Sequence, residues 1–488
     1  MRARRWQRGL AVVAVLAAAA AACGSDGGDE SAGVATTAKA AAAAGGSAAA
    51  VNLANTVAGE DPSAWGVKDK KLTGPGGFTI DLSNCPGSWN DKAGITETEI
   101  RLGAAGVLSG PVANSAGYSL GMKTYFDTVN ATEGGIGGKR ITYDIKDSAY
   151  EAARGKAATD ELIETGNLFA FTAQVGTPIM LATYDRLNEV CMPNIYGIGA
   201  HPAQADPVGH PWTTGTWVPY SVEANLWADY IVEKFGKGAT VAALVINNDY
   251  GTIYKSTFTK AAKDKGLNFV KSETHDLTAA NVTNEMTTLA SSNADVFIAM
   301  TGSVFGTQVV EYLSKSSYKP KERMTSQVNN TISSYKPVGA GADGWVLTGG
   351  AKDVNDPANA NDPFIKQWKE TLTKAGHDFA ANGRFGNGAD FAWPTVENLK
   401  RAAQLPGGLS RTNLMLAVRS FSSTHPMYGP EIKFEMNGAK DAHPVEGATF
   451  VRYTVAPGQD AGTFAPIGKT VDVNGKTESC AYDGKECR

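Results

Sequence analysis

The chain has 488 residues, with 45 Lys and Arg against 49 Asp and Glu and a formal charge of −4. The basic residues are scattered, with no cluster or basic face, which argues against a nucleic-acid partner. Once a low-complexity N-terminal stretch is set aside, about 400 residues remain, enough for two or three domains.

The first element is an export signal. Arg2, Arg4, Arg5 and Arg8 form a positive start, and residues 10–22 are all apolar. A bilayer span needs roughly 20 such residues, so residues 1–22 read as a secretory signal instead. The run ends in Ala20-Ala21-Ala22-Cys23-Gly24-Ser25, which resembles a bacterial lipobox with Ala20 where leucine is usual. That resemblance implies that Cys23 is the lipidated first residue of the mature chain, anchored to the outer face of the cytoplasmic membrane. Residues 23–76 are rich in Ala, Gly and Ser and have no aromatic before Trp65, so they are expected to be a flexible tether. Residues 77–93, including Trp89, are expected on the surface of the folded body.

From Gly94 onward strand-like and helix-like segments alternate. Residues 100–107 read as a short buried strand. Met122, Tyr125, Phe126 and Val129 share one face of a helix, which Gly134-Gly135-Ile136-Gly137-Gly138 ends. Ile141, Tyr143 and Ile145 alternate as a strand, followed by a helix through Leu162 and Ile163. Next come a strand at 168–172, a helix at 180–189 and a strand at 193–196. The pattern restarts after Pro219, with helix 224–235, strand 240–246, a helix after Gly251 and strand 268–272. Helix 282–290, strand 295–300 and helix 306–314 complete it. This order predicts an α/β fold of two doubly wound parallel sheets with a cleft between them. Ligands of such sheets sit beyond the carboxyl ends of the strands.

Four cysteines remain beyond Cys23: Cys85, Cys191, Cys480 and Cys487. An even number outside the cytoplasm favours disulfides, and three pairings are possible. Cys480 and Cys487 bracket a short polar loop containing Asp483-Gly484, which favours 480–487 and then 85–191; buried free thiols are the alternative. No C-x-x-C exists, and the six histidines lack metal-ligand spacing, so neither a metal nor another cofactor is expected. His201 and His210 flank Asp206 in a proline-rich loop that reads as solvated.

The strand-end loops carry a family resemblance. It begins with Gly94-Ile95-Thr96 and Ile100-Arg101-Leu102-Gly103, then Leu108-Ser109-Gly110-Pro111-Val112-Ala113. It continues through Glu133-Gly134-Gly135-Ile136-Gly137-Gly138-Lys139, Tyr143-Asp144-Ile145-Lys146-Asp147, Gly176-Thr177-Pro178, Asn248-Asp249-Tyr250-Gly251 and Gly341-Ala342-Asp343-Gly344. In order and spacing, residues 94 to about 450 resemble the type I periplasmic binding proteins of the branched-chain amino acid transporter class. The resemblance implies two lobes, here 94–216 plus 346–450 and 217–345, joined by a three-strand hinge. It also implies a monomer that closes on a small solute and delivers it to an ABC permease. Residues 451–488 are left as a C-terminal extension.

Carried over by position, the resemblance implies a ligand site of Ser115, Val175, Gly176, Thr177, Gly199, Ala200, His201, Tyr250, Ser303 and Phe305, with Gln327 facing the ligand's amino end. Backbone N–H groups at a helix start hold anions, and Pro178 suits a first helical turn after Thr177. The family's amino-acid binders carry an acidic residue for the ammonium where Gln327 stands. Glutamine cannot supply that charge, so an amide, a carboxylic acid or an aromatic acid is expected as readily as an amino acid. Phe391 and Trp393 are weighed as hinge residues and read as core.

Two enzyme motifs fail on context. Gly117-Tyr118-Ser119-Leu120-Gly121 spells G-x-S-x-G, but a nucleophile elbow needs a strand running directly into the serine, and Ser119 falls in a helix. Asp390 and His425 follow in triad order only trivially. Gly339-Ala340-Gly341-Ala342-Asp343-Gly344 precedes a strand rather than following one, so it is no dinucleotide site. The remaining alternative to transport is a sensing protein that signals to a membrane partner.

Overall fold

Short strands open the described chain in a computed structural model that describes residues 53–483 and 487. The expected signal, Cys23 and the tether up to residue 52 lie outside the described residues. β1 (Gly66–Lys68), β2 (Lys71–Thr73) and β3 (Thr79–Asp81) form a small antiparallel sheet. The tether expected to reach residue 76 is therefore corrected from Leu53 onward. Leu53, Val57 and Leu72 are buried, and Val57 N–H donates to the Ser420 carbonyl at 2.9 Å. Residues 77–93 are not merely superficial either. Phe78 and Ile80 are buried, and the Trp89 indole donates to the Cys191 carbonyl at 2.9 Å. Sparse apolar residues suffice here because a preformed surface receives them.

The first lobe contains β4 (Glu99–Gly106), α1 (Ala116–Thr132), β5 (Arg140–Asp147), α2 (Ala152–Thr165), β6 (Ala170–Thr172), α3 (Thr177–Glu189), β7 (Asn194–Gly197) and β8 (Thr213–Gly215). Its sheet is parallel, in the order β5-β4-β6-β7-β8, with Ile100 opposite Ile141 and Leu102 opposite Tyr143. The second lobe follows with α4 (Tyr220–Phe235), β9 (Thr240–Ile246), α5 (Asp249–Lys265), β10 (Asn268–His275), α6 (Thr283–Ala290), β11 (Val296–Met300), α7 (Val304–Lys315), β12 (Glu322–Thr325) and β13 (Trp345–Gly349). Its parallel strands run β10-β9-β11-β12-β13. Central strands such as β9 and β11 are apolar nearly throughout because helices cover both faces. In each sheet the order reverses beside the first strand, between β4 and β6 and between β9 and β11. That reversal opens a crevice at the carboxyl ends.

Three helices return to the first lobe: α8 (Pro363–Lys374), α9 (Arg384–Gln404) and α10 (Arg411–Arg419). Asp362 and Ser410 cap α8 and α10 by accepting backbone N–H bonds from Ile365 and Asn413. α9 lies against α1 at glycines. A Cβ on Gly117 would stand 2.8 Å from Phe385 N, and one on Gly388 would stand 2.5 Å from the Gly121 carbonyl carbon. The G-x-S-x-G spacing thus serves helix packing, with Ser119 inside α1.

The chain then forms β14 (Ser422–Ser423) with β15 (Phe434–Glu435), and rejoins the second sheet through β16 (Gly447–Thr454), β17 (Thr463–Pro466) and β18 (Val471–Asp472). β16 pairs antiparallel with β13, so residues from Gly447 on belong to the second sheet rather than ending a first lobe at 450. Passages between lobes fall between β8 and α4, β13 and α8, and β15 and β16. Disulfides join Cys85 to Cys191 and Cys480 to Cys487. No helix among the described residues is long and apolar enough to cross a membrane.

Candidate functional site

A cavity of about 60 Å³ lies between the lobes where both strand orders reverse. The loops after β4, β5 and β6 bring Ser115, Tyr150 and the run Val175, Gly176 and Thr177 to it. The loops after β9, β11 and β12 bring Tyr250, Ser303 and Val328. The first inter-lobe passage adds Trp217 and Tyr220, and α1 and α9 add Tyr118 and Arg384.

Backbone strain gathers on these loops. Ala149, Tyr150, Ala173 and Ser303 have φ of 48°, 64°, 54° and 59°, a region that non-glycine residues occupy at a cost of about 1–3 kcal/mol each. Their positions at the ends of β5, β6 and β11 turn the chain sharply into the cleft. The Ser303 hydroxyl also donates to Asn114 Oδ1 in the first lobe, so the two lobes touch beside the cavity.

The polar groups of the cavity fall into two kinds. Donors that await a partner form the first. α3 starts behind Gly176 (φ 106°), which caps it without a side-chain bond. The buried Thr177 hydroxyl lies beside that of Tyr220, close enough to lower the tyrosine slightly against its burial. The positive end of α3 therefore points its free groups at the cavity. Arg384 is 2 % exposed, and its Nε and Nη2 have no hydrogen-bond partner among the described residues. Its guanidinium lies 5.7 Å from the centre of the Tyr118 ring. No Asp or Glu lines the cavity.

The second kind is a set of neutral tyrosines. Tyr220 and Tyr250 meet edge to face with ring centres 5.1 Å apart, and the Tyr250 hydroxyl is 2.7 Å from Ser326 Oγ. Burial pushes both hydroxyls well above the usual tyrosine range, so they act as dipoles and not as charges. Behind them Glu223 is fully buried. It accepts bonds from Thr348, Tyr254 and both nitrogens of Gln327. Burial raises its carboxyl to about 7 against the opposing pull of those bonds.

Of the residues singled out in the sequence, Ser115, Val175, Gly176, Thr177, Tyr250 and Ser303 line the cavity. Gly199, Ala200, His201, Phe305 and Gln327 do not. Gly199 N–H turns back to the Gly197 carbonyl at 3.1 Å, and the Ala200 carbonyl accepts from Tyr220 N–H at 2.9 Å, fixing the first passage. His201 Nδ1 accepts from Ala203 N–H at 3.2 Å, its ring meets Tyr482, and burial lowers it to about 4. Phe305 is buried against His275, with ring centres 4.3 Å apart. Gln327 Nε2 donates to the Val218 carbonyl at 2.8 Å and to Glu223 at 2.9 Å, so its amide is spent on the hinge. Phe391 packs behind the wall on Tyr118 and Trp217, and Trp393 lies on Phe421 and His425.

His425 has both ring nitrogens against backbone groups, of Asp390 and Met427, so it is not presented to Ser119. His210 is bonded to Asp206 and Asp185 at 3.0 and 2.8 Å. No group of three or more His, Cys, Asp or Glu among the described residues could hold a metal.

Sequence reading missed Tyr118, Tyr150, Trp217, Tyr220 and Arg384. Arg384 is the sole Lys or Arg between Lys374 and Lys400, but nothing in the sequence ties it to the strand-end loops.

A mostly parallel, doubly wound pair of lobes with its cavity at both points of strand reversal defines a class of hinged binding proteins. The periplasmic binding protein family matches residues 99–461, and the chain belongs to that family, with the type I fold of the branched-chain amino acid transporter class. Among solved structures it is similar to a fatty acid ABC transporter substrate-binding protein from Thermomonospora curvata (18 % identity, TM-score 0.65, 83 % of this chain and 98 % of that one). It is similar to a branched-chain amino acid ABC transporter protein from Thermus thermophilus with bound valine (18 %, TM-score 0.67, 78 % and 97 %). It is also similar to a solute-binding protein from Rhodopseudomonas palustris HaA2 in complex with p-hydroxybenzoic acid (17 %, TM-score 0.63, 77 % and 98 %). A comparison with curated proteins finds no match. The family is one of exported proteins that bind small-molecule solutes and work with ABC transporter permeases, rather than enzymes.

Proposed function

We propose that this protein is the extracytoplasmic receptor of an ABC importer, tethered through a lipid on Cys23, which closes as a monomer on one small polar solute. The observation that carries this reading is the double origin of the cavity wall. Thr177 and Tyr150 come from the first lobe, Tyr250 and Ser303 from the second, and they meet in one cavity that parting the lobes would split. A solute that touches both sets favours the shut form through its differential affinity for the two states. A permease that recognises the shut form then receives loaded receptor selectively.

Amino acids, amides and carboxylic or aromatic acids all remain in the solute class by fold, and the similar structures span valine, p-hydroxybenzoic acid and fatty acid transport. The small cavity favours a compact solute over a long acyl chain. A thermal-shift screen of these classes, followed by small-angle scattering, tests the reading. A true solute raises the melting midpoint with concentration and contracts the envelope. A chain whose dimensions never change with any solute would refute hinge closure.

A further inference from the structure

The cavity contains a cation without a carboxylate partner. Arg384 is 2 % exposed, touches the Tyr118 side chain, and keeps Nε and Nη2 without partners among the described residues, while no carboxylate lines the cavity it faces. Arg401, Arg411 and Arg419 are also buried, but they donate to backbone carbonyls and line no part of this cavity; Arg384 has its free donors at an open space, which suits an anion. The fork of a guanidinium suits a planar, two-oxygen group. A second, independent donor points to the same conclusion. The Thr177 hydroxyl, 2 % exposed and shared with Tyr220, lines the same cavity at the start of α3. The rest of the wall is apolar or aromatic, including Val112, Ile198, Ile246, Val328, Trp217 and Tyr250. An ammonium entering this space would meet the charge of Arg384 and find no carboxylate. Gln327 is turned away, and Glu223 is enclosed by its own donors.

We infer that the solute is a compact organic monocarboxylate without an amino group, its carboxylate paired with Arg384 and its apolar body against the aromatic and aliphatic wall. The inference rests on the solute-receptor reading above and narrows it to one class.

Calorimetric titration of the purified chain with short aliphatic and aromatic monocarboxylates, benzoate and isovalerate among them, tests it. Benzamide and valine serve as controls, since they keep the shape but remove the charge or add an ammonium. At least one acid should bind about 100-fold more tightly than its amide or amino-acid counterpart. Arg384→Met should weaken that acid by about 100-fold or more, and Arg384→Lys by less, because it keeps the charge without the fork. Arg384→Met should also raise the melting midpoint of the ligand-free protein, since an unpaired buried charge is gone; a residue with only a structural role would lower it. Tighter binding of valine or benzamide, or binding undiminished in Arg384→Met, overturns the carboxylate assignment and leaves the receptor standing. If no acid binds but another solute contracts the envelope, the assignment alone is again overturned. If nothing contracts it, both readings are lost.

Discussion

Ser303 in the second lobe donates its hydroxyl to the side chain of Asn114 in the first, and this bond crosses the mouth of the cleft. The serine pays for its position with a positive φ of 59°, at the start of α7. In the proposed receptor, parting the lobes would break this bond, so it would bias the open–closed balance without touching solute chemistry. Ser303→Ala should therefore weaken solute affinity by roughly 3–10-fold, from a net loss of about 1 kcal/mol. Scattering of the ligand-free variant should show a more extended average form, with its melting midpoint nearly unchanged.

Tyr250 offers a cleaner test of the wall. Its ring lines the cavity, and its hydroxyl meets Ser326 at 2.7 Å on the far side. Tyr250→Ala should abolish the solute-dependent rise in melting midpoint and cost about 3 kcal/mol of stability. Tyr250→Phe should keep most of the rise and cost about 1 kcal/mol, since only the hydroxyl bond is lost. A rise that persists undiminished in Tyr250→Ala would remove Tyr250 from the site.

Glu223 should make stability depend on pH. Its folded value is raised from 4.5 to about 7, chiefly by burial, so the folded state holds its proton more tightly than the unfolded one. The favourable contribution is fully present below about 4.5 and is lost as pH rises through about 7. The difference corresponds to about 3 kcal/mol. The groups packed around it are Tyr254, Gln327 and Thr348, with Tyr220 and Tyr250 beyond, and none is a cation. Buried histidines such as His201 and His443, lowered to about 4, pull the other way, so the comparison with Glu223→Gln isolates the glutamate. Melting curves from pH 4 to 8 should show the wild-type midpoint falling relative to that of Glu223→Gln as pH rises through about 7.

The two disulfides should differ in weight. Cys85–Cys191 closes a separation of 106 residues, and Cys480–Cys487 one of 7. Chain-entropy reasoning assigns about 4–5 kcal/mol to the long loop and about 2–3 kcal/mol to the short one. Denaturant unfolding of the paired Cys→Ser variants should rank them in that order. A larger loss from the short loop would mean that its folded contacts, not loop closure, dominate.

The residues that could be read from sequence are those whose role is local. β9 and β11 are apolar runs because both faces are covered, and Gly176-Thr177-Pro178 marks a helix start at a strand end in any context. Tyr250 and Ser303 came from the family resemblance of their loops rather than from local chemistry. What failed was direction and distance. His201 and Gln327 follow the right strands, yet the His201 ring turns to its own loop and Tyr482 and the Gln327 amide to the hinge, and no periodicity reports which way a loop residue points. Arg384 reaches the cavity from a helix that returns to α1 after a long detour, so its role arises from tertiary packing alone. The overextended tether has the same cause. Leu53 and Val57 look solitary in sequence, and the α10 region that receives them lies more than three hundred residues away.

The end of the described chain has a mechanical consequence. After β18 on the second sheet it runs back to Cys480, whose N–H binds the Ala205 carbonyl at 2.9 Å, and Tyr482 rests against Tyr184 and His201 of the first lobe. This is a fourth link beside the three hinge passages. Any gaping of the jaws has to stretch or peel the stretch between Asp472 and Cys480, which acts as a leash. The widest opening, and with it the ease of admitting and releasing cargo, is then governed by a strap at the molecule's edge as well as by its axle.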